Sequence, residues 1–433
     1  MSTLRYPEPA SAALRLTGLE QIGFLLICAF AVEVILGGPG FWAVGGVSLR
    51  KLLFTVNLAY FGLLWVLGRF RLSPSELGVV AALLAVMLVW IVMLPALSGE
   101  RQITLALQDG LPLATALLGL LVQAFFRRQP SLWPTFCRAM TASLAAVALL
   151  NLALWGLGAS GEAGNVIAQA IALYWFTWGH PELSPPLYLG MMPDGFFRAM
   201  WITGVLYIPA LLYCIAQRRT AGILLFSLAL LVTYTRSLWL AAFVAIVIAQ
   251  ALSSPRQRFI DLHMTFVAAA VSCLGLIAVL LWSQTGEDRG LLSLLGERAG
   301  SAFSDTSADE RYEQVAPLVD AWSRSPWFGR GFGAQAALVR SEDAPFSYEL
   351  TVLALLMKVG VVGLVSLLLL VGGSWLAALL AARPRRRSDC AGLAAIVGFL
   401  LAASTNPFLL NFVGMSALCF MSMKLHLDRQ CCA

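Results

Sequence analysis

The sequence is poor in charge: Asp, Glu, Lys and Arg make up only 12% of its 433 residues, whereas 59% are hydrophobic. Apolar runs near 20 residues long recur along the chain, and a helix needs about that length to cross the hydrocarbon core of a bilayer. Only helices and closed barrels satisfy their backbone groups in lipid, and these runs lack the period-two alternation of barrel strands. The sequence therefore predicts an all-α, polytopic helical membrane protein.

Histidine is scarce, with three residues that fall in separate predicted loops. Five of the eight cysteines lie in apolar runs and the others near predicted cytoplasmic ends, so none falls in the largest polar stretch. These distributions exclude a histidine metal cluster and argue against disulfides or a CxxC metal site. We expect no metal ion and no cofactor. The histidines are His180, His263 and His426.

The sequence also lacks a long basic stretch. The net charge of +6 is spread over short basic clusters between apolar runs, which report membrane topology and not a nucleic-acid partner. Twelve crossings are predicted, and the clusters place one side of them, with both termini, in the cytoplasm. No small-residue cleavage site follows a short N-terminal apolar core, so we expect no removable signal peptide. The predicted crossings are 18–37, 50–68, 76–98, 103–126, 134–157, 198–217, 220–234, 236–252, 264–283, 349–382, 389–405 and 409–425.

The largest polar stretch divides the chain. We expect residues 1–283 to hold nine crossings, 284–348 to form a large outward loop, and 349–433 to hold the last three crossings. The loop carries ten acidic and six basic side chains. Apolar residues at helical spacing from Asp309 to Arg324 predict a helix, and we expect the loop to be mostly helical and to close as a lid.

The span 349–382 is too long for one straight crossing. We predict a half-buried helix up to Lys358, then a break at Gly360 and Gly363, then the crossing itself. The other outward loops are expected at 38–49 and 158–197.

Five basic residues depart from the positive-inside pattern, because they sit at the outer ends of crossings. Snorkelling to the interface explains any one of them, whereas five on one face favour a shared binding role. The planar guanidinium fork suits phosphate oxygens. We therefore predict an outward cavity for a lipid-linked phosphate or pyrophosphate, lined by Arg198 and Arg236. The five residues are Arg50, Lys51, Arg101, Arg198 and Arg236.

The run Gly329-Arg330-Gly331-Phe332-Gly333 has the glycine spacing of a phosphate-binding loop. It follows no predicted strand and opens no βαβ unit, so a dinucleotide-binding role fails and a tight turn is expected. Arg330 within it stays a candidate for binding substrate.

Three short segments resemble the O-antigen ligase and polymerase superfamily of the bacterial inner membrane. Residues 235–240 (Thr-Arg-Ser-Leu-Trp-Leu) are similar to its arginine-containing SRxxW-like segment. Residues 305–333 are similar to its outer loop, with an arginine, a helix and Pro-x-x-Gly-x-Gly, and residues 194–198 to a further arginine position. The resemblance implies a GT-C-like glycosyltransferase with about 12 transmembrane helices and one large periplasmic loop between crossings 9 and 10.

The resemblance also implies a substrate, an undecaprenyl-pyrophosphate-linked glycan, and catalysis without a metal. Arg311, in the similar loop segment, would line the outward cavity together with Arg198 and Arg236. Of these, Arg236 and Arg311 would stabilise the departing pyrophosphate. The first outer loop has no paired-carboxylate motif, which argues against metal-dependent oligosaccharyl transfer. Besides the lipid bilayer, a chain-length regulator and a flippase are candidate partners. The side chains expected to bind substrate are Arg198, Arg50, Arg330 and Tyr348.

Glu349 marks a departure from the family's ligases, which carry a His eleven residues before a Gly at the start of the crossing after the loop. Counting eleven residues back from Gly360 reaches Glu349. This difference favours the polymerase branch, which joins repeat units at the periplasmic face. Glu349 would orient or deprotonate the acceptor hydroxyl; an ordinary interfacial carboxylate or an ion-pair partner is the alternative.

Two other functions stay open. A ligase would move finished glycan onto a lipid core or a protein. A flippase or transporter of lipid-linked sugar should show internal repeats and broken helices at mid-membrane.

Overall fold

The computed structural model of the chain describes residues 18–37, 42–44, 47–97, 99–177, 187–192, 197–253, 306–340, 342, 344–380 and 387–431. The predicted crossing at 264–283, the first part of the large loop and the segment 193–196 lie outside these residues.

Helices dominate the described chain. Seven of them are long and apolar enough to cross a membrane (α1 to α5, α11 and α12 below), and three shorter apolar helices lie between residues 202 and 252. Eleven of the twelve predicted crossings coincide with a helix, so the polytopic helical fold is confirmed. The helices are α1 Gly18–Leu36, α2 Leu49–Val66, α3 Pro74–Ala96, α4 Glu100–Arg128, α5 Trp133–Ala159, α6 Glu162–Thr177, α7 Tyr207–Gln217, α8 Thr220–Val232, α9 Arg236–Leu252, α10 Thr306–Ser323, α11 Thr351–Leu380, α12 Arg387–Ser404 and α13 Phe412–Cys431.

Local sequence explains where some helices begin. α3 starts at Pro74, whose missing N–H costs nothing at the first helical position, behind a capping box formed by Ser73 and Glu76. α9 and α12 approach closely because Gly398 has no Cβ atom. A Cβ added there would lie only 2.7 Å from Ala245 Cβ. Small residues at such crossings let membrane helices pack backbone to backbone.

The segment predicted as an outward loop at 158–197 contains α6 and the strand β3 (Leu187–Met191). This strand pairs antiparallel with β4 (Phe197–Trp201), so the crossing predicted from residue 198 begins with a strand and a 3₁₀ turn at Ile202–Leu206. β4 is apolar enough to continue a helical pattern, but its backbone groups pair with β3. A second, two-residue hairpin joins β1 (Ala43–Val44) and β2 (Val47–Ser48).

The helical backbone of α11 is interrupted at Gly360, one of the two glycines at which the break was predicted. Gly360 has φ 63° and ψ −173°, a conformation that other residues rarely adopt, whereas Gly363 lies within the continuing helix. The predicted break at Gly360 is confirmed. It leaves carbonyls before the break and amides after it without helical partners, which membrane interiors do not tolerate.

Residues Pro326–Gly333, which we name the docking segment, supply those partners. Its amides donate to carbonyls at the end of the first half of α11, and its carbonyls accept from amides at the start of the second half. A loop thus enters the helix break and completes its backbone hydrogen bonding. The four bonds are Arg330 N to Met357 O (3.0 Å), Gly331 N to Lys358 O (2.8 Å), Val361 N to Pro326 O (2.9 Å) and Val362 N to Trp327 O (3.0 Å).

A π-helical turn in α3, Leu88–Met93, holds the other side of the docking segment. The Trp90 carbonyl accepts from Phe332 N at 2.8 Å, and Trp90 Nε1 donates to the Phe328 carbonyl at 2.7 Å. The glycine run is therefore a tight turn, as predicted, with a left-handed backbone at each of its three glycines.

The large loop is only partly as predicted. α10 confirms the helix expected near 309–324, but residues 324–340, 342 and 344–350 form turns and irregular backbone, so this part is not helical. The docking segment explains the difference, because its backbone groups bond to α3 and α11 and not to one another.

We expect Gly329→Ala to destabilise the protein by about 1–3 kcal/mol, the cost of a strained backbone conformation. Gly329 has φ 67°, and an added Cβ would lie 2.4 Å from the Lys358 carbonyl oxygen. Thermal unfolding in detergent measures the effect. Gly62→Ala is the matched control, because Gly62 lies in α2 and a Cβ added there would meet no atom within 4 Å. Equal melting temperatures for the two variants would contradict the docking role.

Candidate active site

Glu349 lies two residues before α11, at the end of the large loop, between two arginines. Its Oε2 lies 2.7 Å from Arg311 Nε, and its Oε1 lies 2.5 Å from Arg340 Nη2. Arg311 belongs to α10, whereas Arg340 comes from the irregular stretch after the docking segment. Two separate parts of the loop therefore converge on one buried carboxylate.

α10 also fixes the backbone at this point. The Glu349 amide donates to Gln314 Oε1 at 3.0 Å, and Gln314 Nε2 donates to the Glu310 carbonyl at 3.0 Å. Gln314 is buried one helical turn after Arg311, so the same face of α10 holds both the main chain and the side chain of Glu349. This arrangement orients the carboxylate firmly.

The contact between Arg311 and Glu349 is an ion pair without an aligned hydrogen bond. Although Arg311 Nε and Glu349 Oε2 are 2.7 Å apart, both atoms are buried and neither has a hydrogen-bond partner among the described residues. A buried carboxylate oxygen normally accepts a hydrogen bond. Oε2 is therefore held by its ion pair with Arg311 and not by a hydrogen bond within the described residues.

Arg236 begins α9, and the next residue links that helix to the start of α11. Asn406, between α12 and α13, donates to Ser237 Oγ at 2.9 Å. The carbonyl of Asn406 accepts from Thr351 Oγ1, also at 2.9 Å. Two hydrogen bonds thus connect the residue after Arg236 with the residue two positions after Glu349.

Arg198 binds the segment that leads into Arg236. Its Nε donates to the Thr233 carbonyl at 3.1 Å, and its Nη2 donates to Thr235 Oγ1 at 3.1 Å. The guanidinium also lies over the ring of Tyr188, 5.1 Å from its centroid. Arg198 is thus tied to the segment before Arg236, and the outer cavity lined by Arg198, Arg236 and Arg311 stays a prediction.

Three other predicted substrate-binding residues have structural partners. Arg50 is 3% exposed and forms a buried ion pair with Glu33, at 2.7 Å, so it faces the interface of α1 and α2 and not a substrate. Arg330 is exposed and donates through Nη1 to the Gln335 carbonyl. Tyr348 is buried, and its hydroxyl accepts from Ala336 N at 2.7 Å. Burial raises the pKa of Tyr348.

A buried ion pair lies beneath the site and was missed by the sequence reasoning. Lys358 Nζ lies 2.8 Å from Asp109 Oδ1 and 2.7 Å from Oδ2, with side chains 1% and 3% exposed. Gly333 N donates to Asp109 Oδ2 at 2.8 Å, which ties the docking segment to the pair. A charge inside a crossing is costly and requires a partner, and that cost is the signal that could have found Asp109.

A small cavity of about 40 Å³ adjoins this pair, and its lining includes Asp109, Ser347, Tyr348, Thr351 and Lys358. In the described ranges, no group of three or more His, Cys, Asp or Glu side chains is placed to hold a metal ion.

Residues 221–368 match the family model described as O-Antigen ligase. The matched region contains Arg236, Arg311, Arg340, Glu349 and the whole docking segment, whereas Arg198 and Asp109 lie outside it. A search of curated proteins gives no match to the chain. The match over residues 221–368, which carry the contacts around Glu349, supports the resemblance of the chain to the O-antigen ligase and polymerase superfamily.

Proposed function

We propose that the protein is a glycosyltransferase of the bacterial inner membrane that transfers glycan from an undecaprenyl-pyrophosphate donor to an acceptor sugar hydroxyl. The observation that carries the proposal is the position of Glu349, which lies just before the start of α11 between Arg311 and Arg340. In this proposal both termini are cytoplasmic, and the start of α11 faces the periplasm.

The reaction needs stabilisation of the leaving pyrophosphate and a base for the acceptor hydroxyl, and these groups can provide both. The acceptor oxygen attacks the anomeric carbon of the donor, and the bond from that carbon to the pyrophosphate oxygen breaks. The electron pair leaves on the pyrophosphate, where guanidinium groups already in place stabilise the growing charge. The hydroxyl proton passes to Glu349, which acts as a general base.

The acceptor class separates two versions of this reaction. We favour a polymerase, which extends a second lipid-linked repeat unit. The reason is that Glu349 occupies the position at which the ligases of the similar family carry His. The family description supports a ligase that moves finished glycan onto a lipid core or protein. Supplying each acceptor to the purified protein with one lipid-linked donor decides between them.

Arg311→Ala is expected to slow transfer roughly 10²–10³-fold, the usual cost of removing one preorganised donor. Arg311→Lys should restore only part of the activity, because an ammonium group cannot reproduce a bidentate guanidinium contact. The assay follows product formation from a lipid-linked repeat unit with the protein in nanodiscs.

Arg324→Ala is the matched control, because Arg324 lies just after α10 and pairs only with exposed Asp320 among the contacts described. Equal losses in both variants would indicate a general effect of charge in the loop. Full activity of Arg311→Ala would contradict the proposed function.

A further inference from the structure

Arg311 and Arg340 form an anion-binding site that is filled by the protein's own carboxylate. Their guanidinium groups approach the two oxygens of Glu349 from different segments of the loop. Two positive groups face one negative group, so the trio retains a net positive charge. Such a cluster attracts an anion of higher charge than a carboxylate.

Exposure indicates which group an incoming anion meets first. The side chains of Arg311 and Arg340 are 27% and 37% exposed, whereas that of Glu349 is 11% exposed. The carboxylate therefore lies beneath the arginines, on the protein side. An anion that arrives from solvent contacts the guanidinium groups before it reaches Glu349.

Both arginines have donors to offer. A guanidinium carries five N–H donors, and the closest approaches to Glu349 use Nε of Arg311 and Nη2 of Arg340. The contact of Arg311 with Glu349 is an ion pair, and Arg311 keeps an ionic partner when a phosphate oxygen takes the place of the carboxylate. Phosphate oxygens match the guanidinium fork in two-point geometry and bind it with short, charge-assisted hydrogen bonds.

We propose that the donor diphosphate binds Arg311 and Arg340 by displacing Glu349, and that Arg340 is a diphosphate-binding residue. This inference rests on the proposed function. Glu349 is held by the arginines before the donor binds, and its carboxylate becomes available to the acceptor hydroxyl only after displacement. Donor binding therefore prepares the base, and the donor is not exposed to a base that could activate water.

The displacement predicts the direction in which binding changes. If the carboxylate competes with the diphosphate, Glu349→Gln removes the competing charge and tightens binding, by about three- to tenfold. If the carboxylate instead holds the arginines in position, the same substitution weakens binding. Arg340→Gln should weaken binding about tenfold or more, because it removes one charged ligand.

The experiment measures equilibrium binding of inorganic pyrophosphate, and then of undecaprenyl pyrophosphate, to the full chain in phosphatidylcholine nanodiscs. Arg324→Gln serves as the control for loss of one loop arginine and should bind as the wild type does. Thermal unfolding is recorded for each variant, and Arg340→Lys, which keeps the charge, should retain part of the binding if Arg340→Gln is unstable.

Weaker binding by Glu349→Gln, or unchanged binding by folded Arg340→Gln, would overturn the displacement. Absence of pyrophosphate binding in the wild type would overturn it as well. A different result would contradict the proposed function. If binding changes as predicted but no glycosyl transfer is detected, the anion site is supported and the glycosyltransferase function is not. Transfer without those changes would keep the function and remove the displacement.

Discussion

Asp109→Leu is expected to destabilise the protein by about 3–5 kcal/mol, the cost of leaving one partner of a buried ion pair without the other. Lys358 would be left charged and buried within α11. The Gly333 amide would lose its acceptor as well, so the docking segment would lose one of its anchors in the helix break. Thermal unfolding and the yield of folded protein in detergent measure the loss.

The double variant Asp109→Leu with Lys358→Met tests the reason for that loss. It removes both charges and keeps apolar volume, so it should recover much of the stability that the single variant loses. Asp320→Asn removes an exposed pair with Arg324 and should cost no more than about 1 kcal/mol. A single Asp109→Leu variant as stable as the wild type would show that the pair does not hold the segment.

The helices could be predicted because the membrane restricts the choice of structure. Apolar runs of the required length become helices, and the predicted bounds fall within a few residues of the observed ones for most crossings. α6 was missed because Glu162, Asn165 and Gln169 interrupt a 16-residue apolar pattern that is too short for a crossing. The strand β4 was missed because its apolar residues were read as the start of the crossing at 198–217, whereas its backbone pairs with β3, which ends shortly before it.

The site was only partly predictable. Glu349 and Arg311 were found through the family resemblance, Glu349 by counting eleven residues back from Gly360 and Arg311 as the arginine of the similar loop segment. Arg340 lies in irregular backbone, where no periodicity fixes the direction of a side chain. The pairing of Asp109 with Lys358 joins residues 249 positions apart, and no local pattern reports which crossings become neighbours.

The same limit explains Arg50. Its predicted position at the outer end of a crossing suggested a role in binding phosphate, and Arg50 does lie in the first turn of α2. Its partner, Glu33, lies in the preceding helix and neutralises it within the bundle. Both side chains of this pair are buried, at 3% and 2% exposed, whereas Arg311 beside Glu349 keeps 27% of its side chain exposed. Such burial becomes visible only when the helices are packed.

Glu349→Gln is expected to fold and to lose roughly 10²–10⁴-fold of its transfer rate, the usual contribution of a general base. Glutamine keeps the shape of the side chain, and the Glu349 amide can still donate to Gln314. What it lacks is the basic oxygen that takes the proton from the acceptor hydroxyl. Polymer formation and donor binding are measured in the same preparation.

Three results of this comparison have different meanings. Loss of transfer with donor binding retained or strengthened identifies Glu349 as the base, since the donor site is then intact. Loss of both would make Glu349 a support for Arg311 and Arg340. Glu342→Gln, an exposed carboxylate of the same loop, should leave both unchanged. Polymer of full length from Glu349→Gln would remove Glu349 from the chemistry and leave the arginines to stabilise the departing pyrophosphate alone.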